Sequence, residues 1–259
     1  MKPLTEPSEL ARRLMDYLDC PCEWFPPMED DDPILERFHA ACEEGSKKGF
    51  FPVLVTADDL LLECLALNSG CEDGEEITRE KLRFSRARLL QAALPDSSAF
   101  LSGLLKSRRA ELEEDGILET ELFGKVEGGE TLDRFCSFWD YETETTHELL
   151  LARIPADHPW EVFAWLPMGG WNECPDTPGL MAAARHWYER YGAIPCAVTH
   201  DELEFRLAAP VTGVETASRL AWEQYAFCPD RVDQCEENGT IGTLADTLRQ
   251  STVWYFWWD

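Results

Sequence analysis

The chain has 259 residues, of which 44% are hydrophobic and 28% are charged, so disorder is excluded as a description of the whole molecule. Its 50 acidic side chains outnumber its 23 basic ones and produce a formal net charge of −27. Such a charge repels nucleic-acid phosphates and anionic membranes and attracts basic partners. We therefore expect no direct contact with nucleic acid or membrane, and a basic protein is the expected kind of partner.

Targeting and redox features are sparse. Residues 1–19 contain no apolar signal-peptide core, and the apolar run over residues 160–170 is too short to cross a bilayer. A cytoplasmic location is expected, and the ten scattered cysteines are therefore expected to be reduced thiols. Cys20-Pro-Cys22 is the one close pair, and by itself it does not define a metal or redox site. No cofactor and no metal are expected.

The first half of the chain is predicted to be rich in helices. Hydrophobic spacing and capping residues predict the following elements in order: a helix over residues 8–19 with Ser8 as N-cap; a loop over 20–32; a helix capped by Asp32 that ends near Gly45 and buries Leu35, Phe38 and Cys42; a strand over 50–55; a helix over 57–67; a polar loop over 71–76; a helix over 79–93; and a helix over 97–115.

Two features of this half bear on domain organisation. The helix over residues 79–93 carries the main cationic stretch of the chain, and residues 123–130, rich in Gly and Glu, are predicted to form a linker. We therefore predict a helix-rich region over residues 1–125 with one βα unit, and a C-terminal α/β domain over residues 146–259. Whether the strand over residues 50–55 joins the sheet of that domain is left open.

The second half contains more predicted strands. In order, these elements are strands over residues 148–154 and 160–166; a turn at 169–172; a helix over 178–191; strands over 194–199 and 202–207 joined by a turn at His200 and Asp201; helices over 213–227 and 240–250; and a strand over 252–258. This order predicts an α/β (α+β) fold, in which helices pack on a mixed β-sheet.

Tryptophan is concentrated in the same half, which holds nine of the ten tryptophans of the chain. Strand alternation places Trp254, Phe256 and Trp258 on one face of the last strand, and core packing is the preferred interpretation. Trp171 differs because it follows two glycines in a turn, where little local structure can bury it. We therefore interpret Trp171 as a candidate anchor for a partner, and stacking on a sugar or a base is left open, although the charge of the protein argues against nucleic acid.

A series of short motifs also stands in the second half: Ala164-Trp165-Leu166-Pro167, Gly169-Gly170-Trp171-Asn172, Trp187-Tyr188, Tyr191-Gly192-Ala193, Thr199-His200-Asp201, Leu203-Glu204-Phe205, residues 223–230, Val232-Asp233-Gln234 and residues 254–258. In this combination, over roughly residues 150–259, the chain resembles a bacterial family, the domain of unknown function 4253. The resemblance implies an α/β domain and supplies no activity.

The chain has neither standard phosphate-binding glycine loop, and it has no GxSxG or HExxH motif. The candidate binding residues are polar or aromatic side chains around the C-terminal elements: Trp171, Asn172, His186, Glu189, His200, Asp201, Glu223, Asp230 and Asp233. His200 and Asp201 follow a strand, where functional side chains are common. His186 and Glu189, at i and i+3, could reach one metal or substrate.

Each of these side chains also has a structural interpretation. An Asp in a turn often satisfies backbone amides, and a helical His beside Trp187 can be a packing residue. The leading functional hypothesis is an acidic protein-binding module, one form of which is an inhibitor or immunity-type protein that covers a basic toxin. The alternative is an enzyme, or a small-molecule or metal-binding protein, that uses the His186/His200 region as a general base or ligand.

Overall fold

A computed structural model describes residues 4–71, 78–234 and 239–259 of the chain. The predicted loop over residues 71–76 lies, apart from Cys71, outside the described residues, and so does Cys235. The helices are α1 (Glu9–Leu18), α2 (Asp32–Lys48), α3 (Asp59–Asn68), α4 (Arg79–Gln91), α5 (Ser97–Glu114), α6 (Glu119–Phe123), α7 (Thr177–Tyr191), α8 (Val214–Phe227), α9 (Asp230–Asp233) and α10 (Ile241–Gln250). A 3₁₀ helix spans Pro159–Ala164.

The strands are β1 (Cys22–Phe25), β2 (Phe51–Thr56), β3 (Trp139–Asp140), β4 (Thr145–Thr146), β5 (Leu149–Ile154), β6 (Ile194–Val198), β7 (Glu202–Arg206) and β8 (Val253–Trp257). Six of them form one sheet in the order β1-β5-β2-β6-β7-β8, and β3 pairs with β4. β5 runs antiparallel to both β1 and β2, whereas β2 runs parallel to β6. This mixed sheet accompanied by helices confirms the predicted fold class.

The described chain divides into two compact units. Unit 1 comprises Met1–Ala93, Cys136–Gly169 and Pro195–Leu203, and unit 2 comprises Leu94–Phe135, Gly170–Ile194 and Glu204–Asp259. Each unit is therefore assembled from three stretches of chain. The prediction of separate regions over residues 1–125 and 146–259 stays a prediction.

The segment predicted as a linker, residues 123–130, is attached to α10 within unit 2. The amide of Gly129 donates to Asp246 Oδ2 at 3.0 Å, and the amide of Glu130 donates to Thr247 Oγ1 at 3.1 Å. A Cβ on Gly242 would lie 2.2 Å from the carbonyl oxygen of Lys125. The segment therefore approaches the helix so closely that glycine is needed at the contact.

The core of unit 1 is built on aliphatic strands. Val53, Leu54 and Val55 of β2 and residues 149–152 of β5 are all at most 1% exposed. Because both faces of these strands are covered, each strand is a continuous apolar run in the sequence and shows no alternation.

Arg86 is an unexpected member of this core. It belongs to the cationic stretch of α4, yet it is 7% exposed, and its guanidinium stacks over the rings of Tyr17 at 5.8 Å and Trp165 at 5.4 Å. An Arg86 Nη2 hydrogen is donated to the carbonyl of Tyr17 at 2.5 Å. Burial lowers the pKa of Arg86, and these partners compensate for the lost solvation.

Aromatic rings form the core of unit 2. Trp187 of α7 stacks on Phe256 with ring centroids 5.3 Å apart and meets Phe227 and Trp254 edge to face at 4.9 and 5.9 Å. Trp254, Phe256 and Trp258 are at most 1% exposed, as strand alternation predicts for one face of β8. This face is therefore core, which confirms the packing interpretation.

Three local predictions are wrong. The strand over residues 160–166 is instead the 3₁₀ helix, because Pro159 starts it and His158 and Glu161 close a capping box around its first turn. The loop over residues 20–32 contains β1, which is recognisable only through its pairing with β5. Asp32 is inside α2 rather than its cap, and the helix continues to Lys48.

The buried face of α2 also differs from the prediction. Ile34, Phe38, Ala41 and Gly45 are buried, whereas Leu35 and Cys42 are only half-buried. Gly45 faces the carbonyl oxygen of Phe50, which a Cβ on residue 45 would approach to 2.3 Å. The face of α2 that includes Gly45 is therefore the buried one, and it is not the face that contains Leu35 and Cys42. No helix in the described part of the chain is long and apolar enough to span a membrane.

Candidate functional site

His200 lies where two neighbouring parallel strands end. Asp58 follows β2 and caps α3, where its Oδ1 accepts the amide of Leu61 at 2.9 Å. His200 follows β6, and its Nδ1 lies 3.1 Å from Asp58 Oδ2 and 3.4 Å from Asp201 Oδ1. The carboxyl ends of adjacent parallel strands are the usual place for ligand-binding side chains in α/β proteins.

The two carboxylates set the chemistry of His200. His200 Nδ1 carries at most one hydrogen. Because Asp58 is the nearer of the two carboxylates, we expect Nδ1 to donate this hydrogen to Asp58. Thr199 Oγ1 donates to Asp201 Oδ1 at 2.9 Å and accepts the amide of Glu202, so Asp201 is anchored within the turn. With its hydrogen on Nδ1, His200 presents Nε2 as a proton acceptor, and its side chain is 34% exposed. The arrangement can act as a general base or as a hydrogen-bonding site.

His186 is in a different environment inside unit 2. It lies on α7 and is 4% exposed. Its Nε2 is 3.4 Å from Glu223 Oε2 of α8, and its Nδ1 is 3.5 Å from Ser98 Oγ of α5. The Glu223 contact is within ion-pair range but lacks hydrogen-bond alignment, so among the described residues both atoms are buried without a hydrogen bond.

Glu189 does not approach His186 in the way that the i, i+3 spacing allowed. Its Oε1 accepts from Arg185 Nε at 2.8 Å, and both side chains are about half exposed. One helix turn therefore separates a buried histidine from a solvated ion pair, and a common ligand for His186 and Glu189 has no support.

Asn172 and Asp230 both contact Asp259, and Trp171 precedes Asn172 in the turn. Asn172 adopts a positive φ of 45° and donates from Nδ2 to the carbonyl of Asp259. The amide of Asp259 donates to Asp230 Oδ2 at 3.1 Å. Trp171 is half-buried, and its Nε1 is buried without a hydrogen-bond partner in the described part of the chain. Trp171 therefore offers only part of its ring to a partner.

Asp233 has a structural partner. It accepts the hydroxyl of Tyr225, with oxygen separations of 3.2 and 3.3 Å. Burial raises the pKa of Asp233, while the Tyr225 hydrogen bond opposes that shift. The Tyr225 pKa is raised as well, first by burial and then by the Asp233 charge. The pair is an internal hydrogen bond of unit 2.

Within the described ranges, Asp30, Asp31 and Asp32 form the one group of three possible metal ligands whose oxygens lie within 4.8 Å of one another. Asp30 and Asp32 are exposed. Exposed acidic groups are common without an ion, and no metal is assigned to these three carboxylates.

A cleft of about 510 Å³ lies between the end of α5 and α6, and we call it the acidic cleft. Its lining includes Arg109, Leu112, Glu113, Ile117 and Leu118. Leu112 is buried, whereas Ile117 is 45% exposed and Leu118 is 58% exposed. The cleft therefore presents apolar side chains directly to solvent.

The chain around this cleft is acidic, although only Glu113 and Glu119 of its carboxylates line the cleft itself, together with the basic side chains Lys106 and Arg109. Residues 111–121 contain six carboxylates and no basic side chain, and the six are exposed: Glu111, Glu113, Glu114, Asp115, Glu119 and Glu121. Glu111 pairs with Arg108 at 2.8 Å, and Glu119 pairs with Arg109 at 3.3 Å. The other four have no ion pair with any residue that the structure describes. Neither the cleft nor this group of carboxylates was among the predicted sites, although the sequence shows the acidic run.

Sequence reasoning also missed Asp58 and Ser98. Both lie at the start of a predicted helix, a position that suggests capping and nothing more. Their histidine partners are 142 and 88 residues away, so no local signal could have identified them.

Comparison with known proteins adds one match. No curated protein and no solved structure matches the chain significantly. Residues 150–259 match the family model described as a domain of unknown function (DUF4253), which confirms the resemblance carried by the tryptophan-rich motifs of the second half.

Proposed function

We propose that the protein is a protein-binding module whose acidic cleft receives a basic partner. The observation that supports this function is the exposed apolar pair Ile117 and Leu118 in the lining of the cleft, within a stretch of chain, residues 111–121, that carries six exposed carboxylates. Exposed apolar side chains surrounded by charge are typical of interaction sites. An inhibitor or immunity-type protein that covers a basic surface is one concrete form of this function.

The occupant that fits is an amphipathic basic segment with one or two apolar side chains flanked by Lys or Arg. The apolar side chains would be buried against Ile117 and Leu118, while the basic ones would face Glu113, Glu114 and Asp115. Complementary charge raises the association rate, and the apolar anchor supplies most of the affinity.

A defined peptide tests the cleft. The probe is a fluorescent helical peptide with leucines on one face and lysines on the other, and binding is measured by anisotropy. We expect Leu118→Ser combined with Ile117→Ser to weaken binding by about tenfold or more, as removal of a buried anchor does. Leu60→Ser combined with Leu67→Ser is the matched control on α3, because these leucines are 55% and 49% exposed. If the two double variants lost equal peptide affinity, the result would contradict the proposal.

The charge of residues 111–121 is tested separately. Glu113→Gln with Glu114→Gln should slow association with the lysine peptide, and the effect should shrink as salt rises from about 0.05 to about 0.5 M. Glu142→Gln with Glu144→Gln removes the same net charge from an exposed loop of unit 1. If both pairs slow association equally, the peptide senses only the net charge of the protein.

A second candidate function, small-molecule binding or catalysis at His200, is supported by the Asp58–His200 contact at the ends of β2 and β6. Native mass spectrometry of the purified protein tests for a bound small molecule. The molecule should disappear in His200→Asn and persist in His39→Asn, because His39 is an exposed histidine on α2. Equal occupancy in both variants would remove the support for this site.

A further inference from the structure

Three helices of unit 2 bring a serine, a histidine and a glutamate into line. Ser98 belongs to the first turn of α5, His186 to α7 and Glu223 to α8. Ser98 Oγ lies 3.5 Å from His186 Nδ1, and His186 Nε2 lies 3.4 Å from Glu223 Oε2. The imidazole therefore stands between a hydroxyl and a carboxylate, and each ring nitrogen faces one of them. This is the order of groups that activates a serine nucleophile.

Ser98, His186 and Glu223 differ in burial, and this difference gives each side chain a different role. Ser98 is exposed, whereas His186 is 4% exposed and the side chain of Glu223 is 19% exposed. The nucleophile is thus reachable from solvent while its base is shielded from it. A hydrogen on Nε2 that faces Glu223 leaves Nδ1 as the acceptor for the Ser98 proton.

The buried histidine is unsatisfied in this structure. Among the described residues, His186 Nε2 and Glu223 Oε2 have no hydrogen-bond partner even though they lie 3.4 Å apart. Buried polar groups in folded proteins are nearly always hydrogen-bonded, so an orphaned pair requires an explanation. Contacts between catalytic groups are often long or poorly aligned in the free enzyme and tighten when substrate binds.

Backbone amides at the start of α5, beside Ser98, are suited to stabilise a developing negative charge. Asp96 caps α5 by accepting the amides of Ala99 and Phe100, which leaves the first-turn amides of Ser97 and Ser98 without an acceptor inside the helix. Amides at a helix N-terminus are suitable donors to an oxyanion.

From this geometry we infer that Ser98 is the nucleophile of an ester-hydrolysing site, with His186 as its general base and Glu223 as the positioning residue. His186 Nδ1 takes the hydroxyl proton as Ser98 Oγ bonds to the carbonyl carbon, and the carbonyl electron pair moves onto oxygen. When the carbonyl reforms, the bond to the alcohol breaks and the alcohol leaves with the proton from His186. Water repeats the sequence on the acyl-serine, which releases the carboxylic acid and regenerates Ser98.

This activity is separate from the binding proposed for the acidic cleft. Ser98 and Glu113 are fifteen residues apart on α5, which places them roughly 22 Å from each other along the helix axis. Changes at Ile117 and Leu118 should therefore leave the reaction of Ser98 unaffected.

The test uses a fluorophosphonate, which phosphonylates activated serines as the serine oxygen displaces fluoride from phosphorus. We expect a single adduct on the folded full-length protein, mapped to Ser98 by peptide mass spectrometry. Ser98→Ala should abolish the adduct, and Ser102→Ala, an exposed serine one turn along the same helix, should keep it. Because Ser98 and Ser102 are both exposed, both variants should fold, and circular dichroism verifies this.

The roles of His186 and Glu223 are tested by substitution of each. His186→Gln should slow labelling of Ser98 by about 100-fold, and Glu223→Gln should slow it less, with kcat for an acetyl ester falling while KM is unchanged. Absence of a Ser98 adduct on the folded wild-type protein would overturn the inference. So would labelling of Ser98 at the wild-type rate in a folded His186→Gln variant.

Discussion

Unit 1 and unit 2 build their cores from different side chains. In unit 1, the aliphatic strands β2 and β5 are at most 1% exposed around Val53–Val55 and Leu149–Ala152. In unit 2, the core is a set of rings around Trp187, in contact with Phe205, Phe227, Trp254 and Phe256. Aliphatic side chains pack in many ways, whereas ring pairs favour a few relative orientations.

The two histidines reflect this difference. His200 lies beyond the end of an aliphatic strand, is partly exposed and contacts two carboxylates. His186 directly precedes Trp187, and its position is therefore coupled to the aromatic core. The comparison indicates that the geometry at His200 depends on the end of a strand and on a helix-capping residue, whereas the geometry at His186 depends on how α5, α7 and α8 pack.

The largest expected effect is at the centre of the aromatic cluster. Trp187 is 0% exposed and contacts four rings, so Trp187→Ala should lower the free energy of unfolding by about 3–5 kcal/mol. Trp222 is the control in the same unit, because it is half-buried and stacks on Phe123 at 6.5 Å. Urea denaturation measures both variants. Equal losses would show that Trp187 is not the centre of this core.

The next effect concerns the close approach of residues 123–125 to α10. Gly242→Ala would place a Cβ 2.2 Å from the carbonyl oxygen of Lys125, and overpacking against backbone should cost about 1–3 kcal/mol. Gly103→Ala is the control in α5, where a Cβ meets nothing within 4 Å and should be neutral or stabilising. Thermal unfolding distinguishes the two, and a neutral Gly242→Ala would contradict the packing described for this segment.

A smaller expected effect concerns Asp58, which both caps α3 and contacts His200. Comparison with a residue that only caps a helix distinguishes the two contributions to the free energy of unfolding. Asp58→Ala removes the cap of α3 and the partner of His200, whereas Asp96→Ala removes only the cap of α5. Each lost cap should cost about 1 kcal/mol, and Asp58→Ala should cost more than Asp96→Ala. Denaturant unfolding of both variants measures the excess. If the two losses are equal, the Asp58–His200 contact adds nothing to stability.

The smallest effect is electrostatic. Arg37 holds the pKa of Glu23 below its ordinary value through a 2.7 Å hydrogen bond, with Arg153 contributing. A depressed pKa means that the pair contributes stability above the ordinary pKa of a glutamate and loses it as pH falls through the folded value. Because solvent screens this surface pair, Glu23→Gln should cost about 0.5 kcal/mol at neutral pH and nothing in acid.

The control for that variant is Glu36→Gln on α2, which is exposed and removes the same charge. Its unfolding free energy should not differ from the wild type at either pH. A cost for Glu23→Gln that persists at low pH would mean that the loss comes from packing and not from the charge.

Much of the local structure was predictable from sequence. Ser8 and Thr240 cap the helices that their positions indicated, and Gly192 ends α7 in the left-handed conformation. Capping and hydrophobic spacing are local properties, so neighbouring residues suffice to predict them. The apolar run over residues 160–166 was misassigned because periodicity alone does not distinguish a buried strand from another buried segment.

The candidate sites were predictable only in part. His200 and Asp201 were selected because they follow a strand, and His186 and Glu223 as polar residues around the C-terminal elements. The structure gives each of the four a charged or polar neighbour. Asp58 and Ser98 were not selected, since each resembles an ordinary helix-capping residue in the sequence. The partnership of His186 with Glu223 in place of Glu189 depends on how α7 and α8 pack.

The amino-acid sequence by itself determined the acidic charge, the fold class and the aromatic character of the second half, because these depend on composition and on short-range periodicity. Only the tertiary structure decided which side chains meet: Asp58 with His200, Ser98 with His186, and Glu223 with His186. Those contacts join residues on separate elements, and long-range packing, which no local pattern encodes, determines their geometry.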